Sequence, residues 1–248
     1  MHWGLLKMAL TDKLSAIGAA IREKTGKTEL IKLDDMPQEI ASITTGGGDD
    51  LYHQMIDGSI SGEVIFPEGI TTIGKGAFYT RTNITKVVIP DSVTTIGESA
   101  FQGCSNLTEI IFGSGILKIP YQVVHSTKVT EIVIPHGVTT LGDYALGGLS
   151  GMLTKLWMPN TITKFGVVWL SSSDMKVLTN VIFEKGYNCT TDISKATRLT
   201  VESLIGMFEA LADLTGQTAK TLTIGATNIA KLTEEQIAIA TQKNWTIA

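Results

Sequence analysis

A pattern of apolar residues that returns about every 23 positions dominates residues 64 to 189 of this chain. Its equivalent positions are separated by 23, 23, 22, 24 and 25 residues, and they are Pro67, Pro90, Gly113, Pro135, Pro159 and Glu184. Around most of these anchors, apolar residues recur six, three and one positions before and three and six positions after. One such unit cannot bury its own apolar face, so the period predicts a solenoid of stacked coils.

Each unit contains a short segment that is typical of a β-strand. In Val87-Val88-Ile89 the first and third side chains are expected to point inward, and the following Pro90 ends the strand. The equivalent inward positions, which we expect to be buried, are Val87, Ile89, Ile110, Phe112, Ile132 and Ile134. An apolar pair is expected to close each coil, and these pairs are Ala77-Phe78, Ala100-Phe101, Val123-Val124, Ala145-Leu146 and Val168-Trp169.

The unit resembles the BspA-like (treponemal-type) leucine-rich repeat of bacterial surface antigens. Its pattern is Leu-x-x-Ile-x-Ile-Pro-x-x-Val-x-x-Ile-Gly-x-x-Ala-Phe-x-x-Cys, and residues 84 to 104 match it in register from Ile84 to Cys104. The coil that contains Gly113 departs from this pattern, because it lacks both the proline and the Ala-Phe pair. The resemblance implies a right-handed solenoid of five to six coils and implies no reaction.

The sequence on either side of the repeats predicts two further modules. Residues 1–43 are expected to form a small helical module, and the polar, glycine-rich residues 44–50 a flexible linker. The solenoid would then span residues 51–199. Residues 200–248 read as helix, strand, helix and strand, with Thr200 and Thr233 as helix caps, and we expect them to cap the open end of the solenoid. The predicted fold is therefore an α/β repeat protein.

Both terminal segments carry a second resemblance. Residues 9 to 27, followed by Asp35-Met36-Pro37 and Ile40, resemble the N-terminal segment of tail-associated proteins from phages and prophages of Gram-positive bacteria. The C-terminal residues 231–236 and 244–248 resemble the ends of repeat proteins from gut Firmicutes and their prophages. The N-terminal helix has one apolar face and too little chain to bury it, which predicts attachment to an assembly or self-association.

The sequence offers no constellation for catalysis, for a metal or for a cofactor. The four histidines stand in unrelated contexts, and Gly46-Gly47-Gly48 lacks the lysine of a phosphate-binding loop. The net charge of −4 is spread without a basic stripe, which argues against nucleic acid as a partner. No apolar run approaches the 18 residues of a membrane span. We therefore predict a protein that is not an enzyme.

One pair of carboxylates could instead indicate acid/base chemistry. Glu109 and Glu131 occupy equivalent positions of neighbouring coils, which would place them about 5 Å apart on one exposed face, as in a glycosidase. The same column also contains Glu63, Lys86 and Lys155. A row of alternating solvated charges therefore explains the pair better than acid/base chemistry.

An apolar column beside this charge row is the strongest candidate for a binding site. It lies between the inward strand positions, where an exposed strand face would be polar, and consists of Ile65, Val88, Ile111, Val133, Trp157 and Ile182. An uncovered stripe of six coils would be about 24 Å long, a size that marks interaction surfaces. Alternatively, β-branched residues simply suit strands, or the terminal modules cover the column.

The expected function is that of a structural or binding protein whose solenoid face holds a protein or glycan partner. A phage or prophage tail component, made in the host cytoplasm and assembled into the virion, is the leading hypothesis, because neither a signal peptide nor a C-terminal anchor is recognisable. A secreted or cell-surface adhesin of the BspA-like type is the main alternative. A carbohydrate-active enzyme is a distant third.

Overall fold

The computed structural model describes residues 61–66, 69–149 and 151–248. The predicted helical module at residues 1–43 and the linker at 44–50 lie outside the described residues. Six coils follow one another, with each of the first five containing two short strands. These strands are β1 (Gly62–Ile65), β2 (Thr72–Ile73), β3 (Ile84–Val88), β4 (Thr95–Ile96), β5 (Glu109–Ile111), β6 (Lys118–Ile119), β7 (Glu131–Val133), β8 (Thr140–Leu141), β9 (Lys155–Met158) and β10 (Lys164–Phe165).

The sixth coil contains β11 (Asn180–Phe183) and β12 (Thr191–Asp192) and is preceded by the single helical turn α1 (Ser172–Met175). We number the coils by residues: coil 1 is 61–83, coil 2 is 84–106, coil 3 is 107–128, coil 4 is 129–152, coil 5 is 153–177 and coil 6 is 178–199. The predicted strand before each anchor is confirmed, and the structure adds a second strand in each of the six coils that was not predicted from the sequence.

All strand pairs are parallel, as expected for stacked coils, but neither ladder runs through the whole solenoid. The strands before the anchors form two sheets, β1-β3-β5 and β7-β9-β11, and the second strands form β2-β4 and β6-β8-β10. Coil 3 is thus joined to coil 2 through the pair β3 and β5, and to coil 4 through the pair β6 and β8. Between coils 2 and 3 the second strands β4 and β6 are not paired, and between coils 3 and 4 the strands β5 and β7 are not paired.

The interruption between β4 and β6 has a cause in the sequence. Gly97 is the residue after β4, and its amide donates a 2.7 Å hydrogen bond to the carbonyl oxygen of Ile73 in the preceding coil. A Cβ on Gly97 would collide with the backbone of Lys75, so close stacking requires glycine here. The equivalent residue of coil 3 is Pro120, which has a bulky ring and no N–H to donate.

The interior is filled by the residues that the repeat predicted. Val87, Ile89, Ile110, Phe112, Ile132 and Ile134 are all buried, which confirms these expectations. Aromatic rings of successive coils stack on one another, with the rings of Phe78 and Phe101 5.2 Å apart. Removing one inward side chain, as in Ile110→Ala, should therefore cost about 2 to 5 kcal/mol of folding free energy.

The apolar pair that closes coil 5 is shifted by one residue from the prediction. The amide of Leu146 donates to the carbonyl of Trp169, as the amide of Phe78 does to that of Ala100, so Trp169 takes the alanine position. The pair is therefore Trp169-Leu170. Val168, which we predicted to belong to the closing pair, is 43% exposed and has a φ angle of 49°.

The C-terminal segment covers the last coil. It contains α2 (Val201–Ala210), β13 (Lys220–Thr223), α3 (Ala226–Ile229), α4 (Glu234–Thr241) and β14 (Trp245–Ile247). The prediction of helix, strand, helix and strand missed the short helix α3. Parallel pairing gives the order β12-β13-β14, so coil 6 shares a sheet with this segment. The caps at Thr200 and Thr233 are confirmed, and Thr233 and Gln236 form a capping box.

A serine of α2 satisfies the outer edge of the sheet β7-β9-β11. The Ser203 hydroxyl accepts a 2.9 Å hydrogen bond from the Val181 amide and donates a 3.1 Å bond to the Val181 carbonyl. Both residues are buried. The hydroxyl thus satisfies both backbone groups that a seventh strand would pair with, and the last strand presents no open edge at this residue.

A lysine from another element closes the far end of α2. The ammonium group of Lys243 donates to the carbonyl oxygens of Phe208, Glu209 and Leu211, at 3.0, 2.6 and 3.2 Å. The last turn of α2 itself contains no basic residue. Because the last carbonyls of a helix have no partner within the helix and carry a partial negative charge, Lys243 supplies both hydrogen bonds and charge there.

Candidate functional site

The apolar column lies on the outer face of the two strand sheets. In one sheet Ile65, Val88 and Ile111 are paired in register, and in the other Val133, Trp157 and Ile182 are. The exposed fractions are 63% for Ile65, 45% for Ile111 and 58% for Val133. The other three members are half-buried.

Position within the sheets explains this difference in exposure. Val88 and Trp157 belong to the central strands β3 and β9, so each has a neighbouring column residue on both sides. Ile182 lies on the edge strand β11, and α2 covers the outer edge of this strand through the hydrogen bond between Ser203 and Val181. The column is therefore an apolar stripe of which three members are largely open to solvent and the remaining three are partly shielded.

The charge row lies beside the column and is joined by exposed ion pairs. The Lys86 ammonium lies 3.1 Å from a carboxylate oxygen of Glu63 and 3.6 Å from one of Glu109. The hydrogen bond to Glu63 is the largest cause of a raised Lys86 pKa, which burial opposes and Glu109 supports. Lys155 lies 3.7 Å from Glu131. Exposed pairs of this kind stabilise a fold little, so the row is better suited to orienting a partner.

A cleft of about 590 Å³ opens in the middle of this face, between β5 and β7. It is lined by residues 108–112 on one side and by Thr130, Glu131 and Val133 on the other. The structure therefore brings Glu109 and Glu131 to the same cleft, with Ile111 and Val133 as its apolar walls. The sequence reasoning identified these four residues but not the cleft. The deviations of coil 3 from the repeat were the available signal.

The carboxylate pair does not have the environment of an acid/base pair. The side chains of Glu109 and Glu131 are 53% and 61% exposed, and each lies within ion-pair distance of a lysine. Both carboxylates are thus open to water and are not enclosed in an apolar pocket. The geometry favours the interpretation of the two residues as part of a charge row.

Another carboxylate, Asp174, is fully buried, which can indicate a catalytic acid. Its oxygens accept hydrogen bonds from the amides of Gly148 and Gly151 at 2.8 and 3.0 Å, and from the Ser171 hydroxyl. These partners belong to the turn of coil 4 and to the start of α1. Asp174 therefore connects two coils and faces no open site.

The histidines and cysteines of the described residues do not form a metal site. His136 is hydrogen-bonded to Glu184 at 2.9 Å, two coils away, and no group of three or more potential metal ligands occurs among the described residues. Burial raises the Cys104 pKa to about 11, despite an opposing effect of Arg81, and burial also raises that of Cys189. Both cysteines are free, buried thiols. No helix in the described part of the chain has the length and hydrophobicity of a membrane-spanning segment.

Comparison with solved structures finds leucine-rich repeat proteins of bacteria. A leucine rich cell surface protein from Faecalibacterium prausnitzii is 30% identical, with a TM-score of 0.44, over 49% of this chain and 31% of that one. The leucine rich repeat protein of T. pallidum is 19% identical, with a TM-score of 0.48, over 75% and 85%. The pneumococcal vaccine antigen PcpA is 16% identical, with a TM-score of 0.45, over 75% and 39%.

The chain thus spans about a third of the Faecalibacterium protein and well under half of PcpA. A comparison with curated proteins found no match. A family model described as the BspA type leucine rich repeat region matches six copies of the repeat, at residues 58–189, which is more than half of the chain. Together with the six coils and their parallel strands, this match identifies the chain as a member of the BspA type leucine rich repeat family.

Proposed function

We propose that this protein is a bacterial cell-surface or secreted binding protein that holds a protein partner on its strand face, defined as the apolar column together with the charge row beside it. The single observation that carries the proposal is the exposure of Ile65, Ile111 and Val133 on the edge strands of two ordered sheets. An apolar stripe left open to water costs solubility, and the usual reason for keeping one is a partner that covers it.

Family membership supports the location, since the repeat type is that of bacterial surface antigens. The phage-tail hypothesis has no support from any of the comparisons, which found surface and repeat proteins of bacteria. The N-terminal of the two segments that carried this resemblance, which also carried the expected self-association, lies outside the described residues. Virion assembly and attachment through the N-terminal helix thus stay predictions from the sequence alone, as does a glycan partner.

The absence of enzymatic activity also stays a prediction, and the exposed, lysine-paired state of Glu109 and Glu131 supports it. A screen of the purified protein against glycosides, esters and peptides should show no turnover. Reproducible turnover that disappears in Glu109→Gln or Glu131→Gln would contradict the prediction and would revive the carbohydrate-active alternative.

The test of the binding function compares two triple variants on arrays of extracellular proteins and of glycans. One variant replaces Ile65, Ile111 and Val133 of the strand face by serine. The matched control replaces three equally exposed apolar residues elsewhere, Tyr79, Leu117 and Val167, by serine. Protein targets of the wild type should be lost by the strand-face variant and kept by the control.

Trp157 provides a finer test because it is the only aromatic residue of the column. Binding energy at protein interfaces concentrates in a few large residues, so Trp157→Ala should weaken binding to such a target by at least about 2 kcal/mol. The stability of this variant should stay within about 1 kcal/mol of the wild type. Equal losses of binding in both triple variants, or binding to glycans alone, would refute the proposal. Surface biotinylation of intact cells of the source bacterium would test the location.

A further inference from the structure

The cleft between β5 and β7 indicates which chemical group of the partner binds there. This inference rests on the proposed function. We propose that the cleft receives an arginine side chain from an extended segment of the partner protein, with its guanidinium between Glu109 and Glu131. The aliphatic part of the arginine would lie against Ile111 and Val133.

The first support is that the cleft is a break in three separate series of hydrogen bonds. Ile89 donates its amide to the carbonyl of Ile111, and Ile134 does so to that of Trp157, at 2.9 and 3.0 Å. Among the described residues, no corresponding bond joins Phe112 to Val133. The strands β5 and β7 are not paired with each other. Each is paired only on its other side, β5 with β3 and β7 with β9.

The third series is formed by threonine hydroxyls that precede the strands. Thr108 donates its hydroxyl to the carbonyl of Thr85, and Thr154 does so to that of Thr130, at 3.2 and 3.1 Å. Between Thr130 and Thr108 the series has no such bond in the described part of the chain, and both residues line the cleft. The opening thus exposes polar backbone groups as well as side chains.

The sequence of coil 3 accounts for the position of the opening. The coil is the only one of the anchored series with a 22-residue step, and the missing residue falls in the turn just before β7. At the contact between β4 and β6, Pro120 lacks the N–H with which the equivalent Gly97 and Gly142 bond to the preceding coil. Coil 3 is therefore paired with coil 2 through β3 and β5, and with coil 4 through β6 and β8. The position of the cleft follows from the sequence of the repeats.

The second support is a mismatch in the charge row. Along the coils the row reads Glu63, Lys86, Glu109, Glu131 and Lys155, so acid and base alternate except at the cleft. Lys86 is shared between Glu63 and Glu109, and Lys155 pairs with Glu131. One additional positive charge between Glu109 and Glu131 would complete the alternation and remove the repulsion between them.

Arginine fits this position better than other cations. Its planar guanidinium has donors on several edges and can bind carboxylates on two sides, whereas the single ammonium of lysine is a compact point charge. Its long apolar stem can cover Ile111 and Val133 while the charge stays at the rim. A bare metal ion would need more ligands than two carboxylates, and among the described residues no third His, Cys, Asp or Glu joins Glu109 and Glu131 in a potential metal-binding group.

The experiment uses the full chain, with labelled isoleucine and valine methyl groups, and two capped five-residue peptides. The probe is acetyl-TVRVT-amide, and its matched counterpart replaces arginine by citrulline, which has nearly the same shape and no charge. We expect saturable shifts of the Ile111 and Val133 methyl signals with the arginine peptide. The citrulline peptide should bind at least about tenfold more weakly, because charge-assisted hydrogen bonds are lost.

Single variants then locate the charge. Glu109→Gln and Glu131→Gln should each weaken binding of the arginine peptide by about threefold or more. Glu98→Gln is the matched control, because Glu98 is similarly exposed at 51% and forms an ion pair with Lys75 on another surface. This control should bind the arginine peptide like the wild type.

Two results would overturn the proposal. One is equal affinity for the arginine and citrulline peptides or no saturable shift at Ile111 and Val133. The other is unchanged binding by both glutamine variants. Saturable shifts confined to Ile65 and Ile182 would reject the cleft but leave the binding function of the face intact. Conversely, arginine-dependent binding in the cleft, with protein targets kept by the strand-face variant, would reject the proposed function alone.

Discussion

Replacing Ser203 by alanine should open the edge of the strand sheet that α2 closes. The Ser203 hydroxyl serves both the amide and the carbonyl of Val181, and Val181 is only 1% exposed. Water therefore has little access to these backbone groups after the hydroxyl is removed. Each buried group that loses its partner costs about 1 to 3 kcal/mol, so the free energy of unfolding should fall by at least about 2 kcal/mol.

The assay is equilibrium unfolding in urea, read by circular dichroism, together with hydrogen exchange at the Val181 amide. The denaturation midpoint should fall with little change in the slope, and Val181 should lose protection before the neighbouring strands do. Ser105→Ala, at an exposed serine of coil 2, is the control and should stay within about 0.5 kcal/mol of the wild type. A loss as small as the control's, with Val181 still protected, would refute the reasoning.

Three further predictions follow from described contacts. Lys243→Met removes three hydrogen bonds at the end of α2, so it should cost about 1.5 to 3 kcal/mol in the same unfolding assay; an unchanged midpoint would contradict it. Val168→Gly should stabilise the protein by about 0.5 to 1 kcal/mol, because a β-branched residue is strained at a φ of 49°, whereas Val167→Gly should destabilise it. Burial disfavours the charged form of Glu184, yet the hydrogen bonds from His136 and the Asn160 amide outweigh it and lower the Glu184 pKa. The stability gained from this carboxylate is present above its ordinary pKa of 4.5 and is lost as the pH falls through the lower folded value, so the advantage over Glu184→Gln should vanish in acid; an advantage that persists at about pH 2 would contradict it.

The core of the solenoid could be predicted because the same apolar positions recur in successive coils. Val87, Ile110 and Ile132 are inward at equivalent positions, and five repetitions fix their phase. Coil 5 shows where this stops, since Val168, Trp169 and Leu170 are three consecutive apolar residues and hydrophobicity alone cannot say which pair is inward. Hydrogen bonds between coils, which sequence does not display, decide the register there.

The sequence predicted which residues form the binding face, but it did not predict how exposed each of them is or that a cleft divides the face. The repeat shows which positions form a column, yet the exposure of each side chain depends on its neighbouring strands and on the segments that cover the face. The cleft could have been anticipated from the 22-residue step between Gly113 and Pro135, because the missing residue falls in the turn just before β7. The role of Ser203 could not, because it depends on the exact approach of α2 to the last strand.

The way α2 closes the sheet bears on how the number of coils can change. Ser203 recognises the amide and carbonyl of one residue in β11, and these groups are the same in every coil whatever the side chains. A duplication or deletion of one whole repeat would therefore present α2 with an equivalent strand end. The terminal segment need not change when the solenoid becomes longer or shorter, which frees the length of the binding face to vary between related genes.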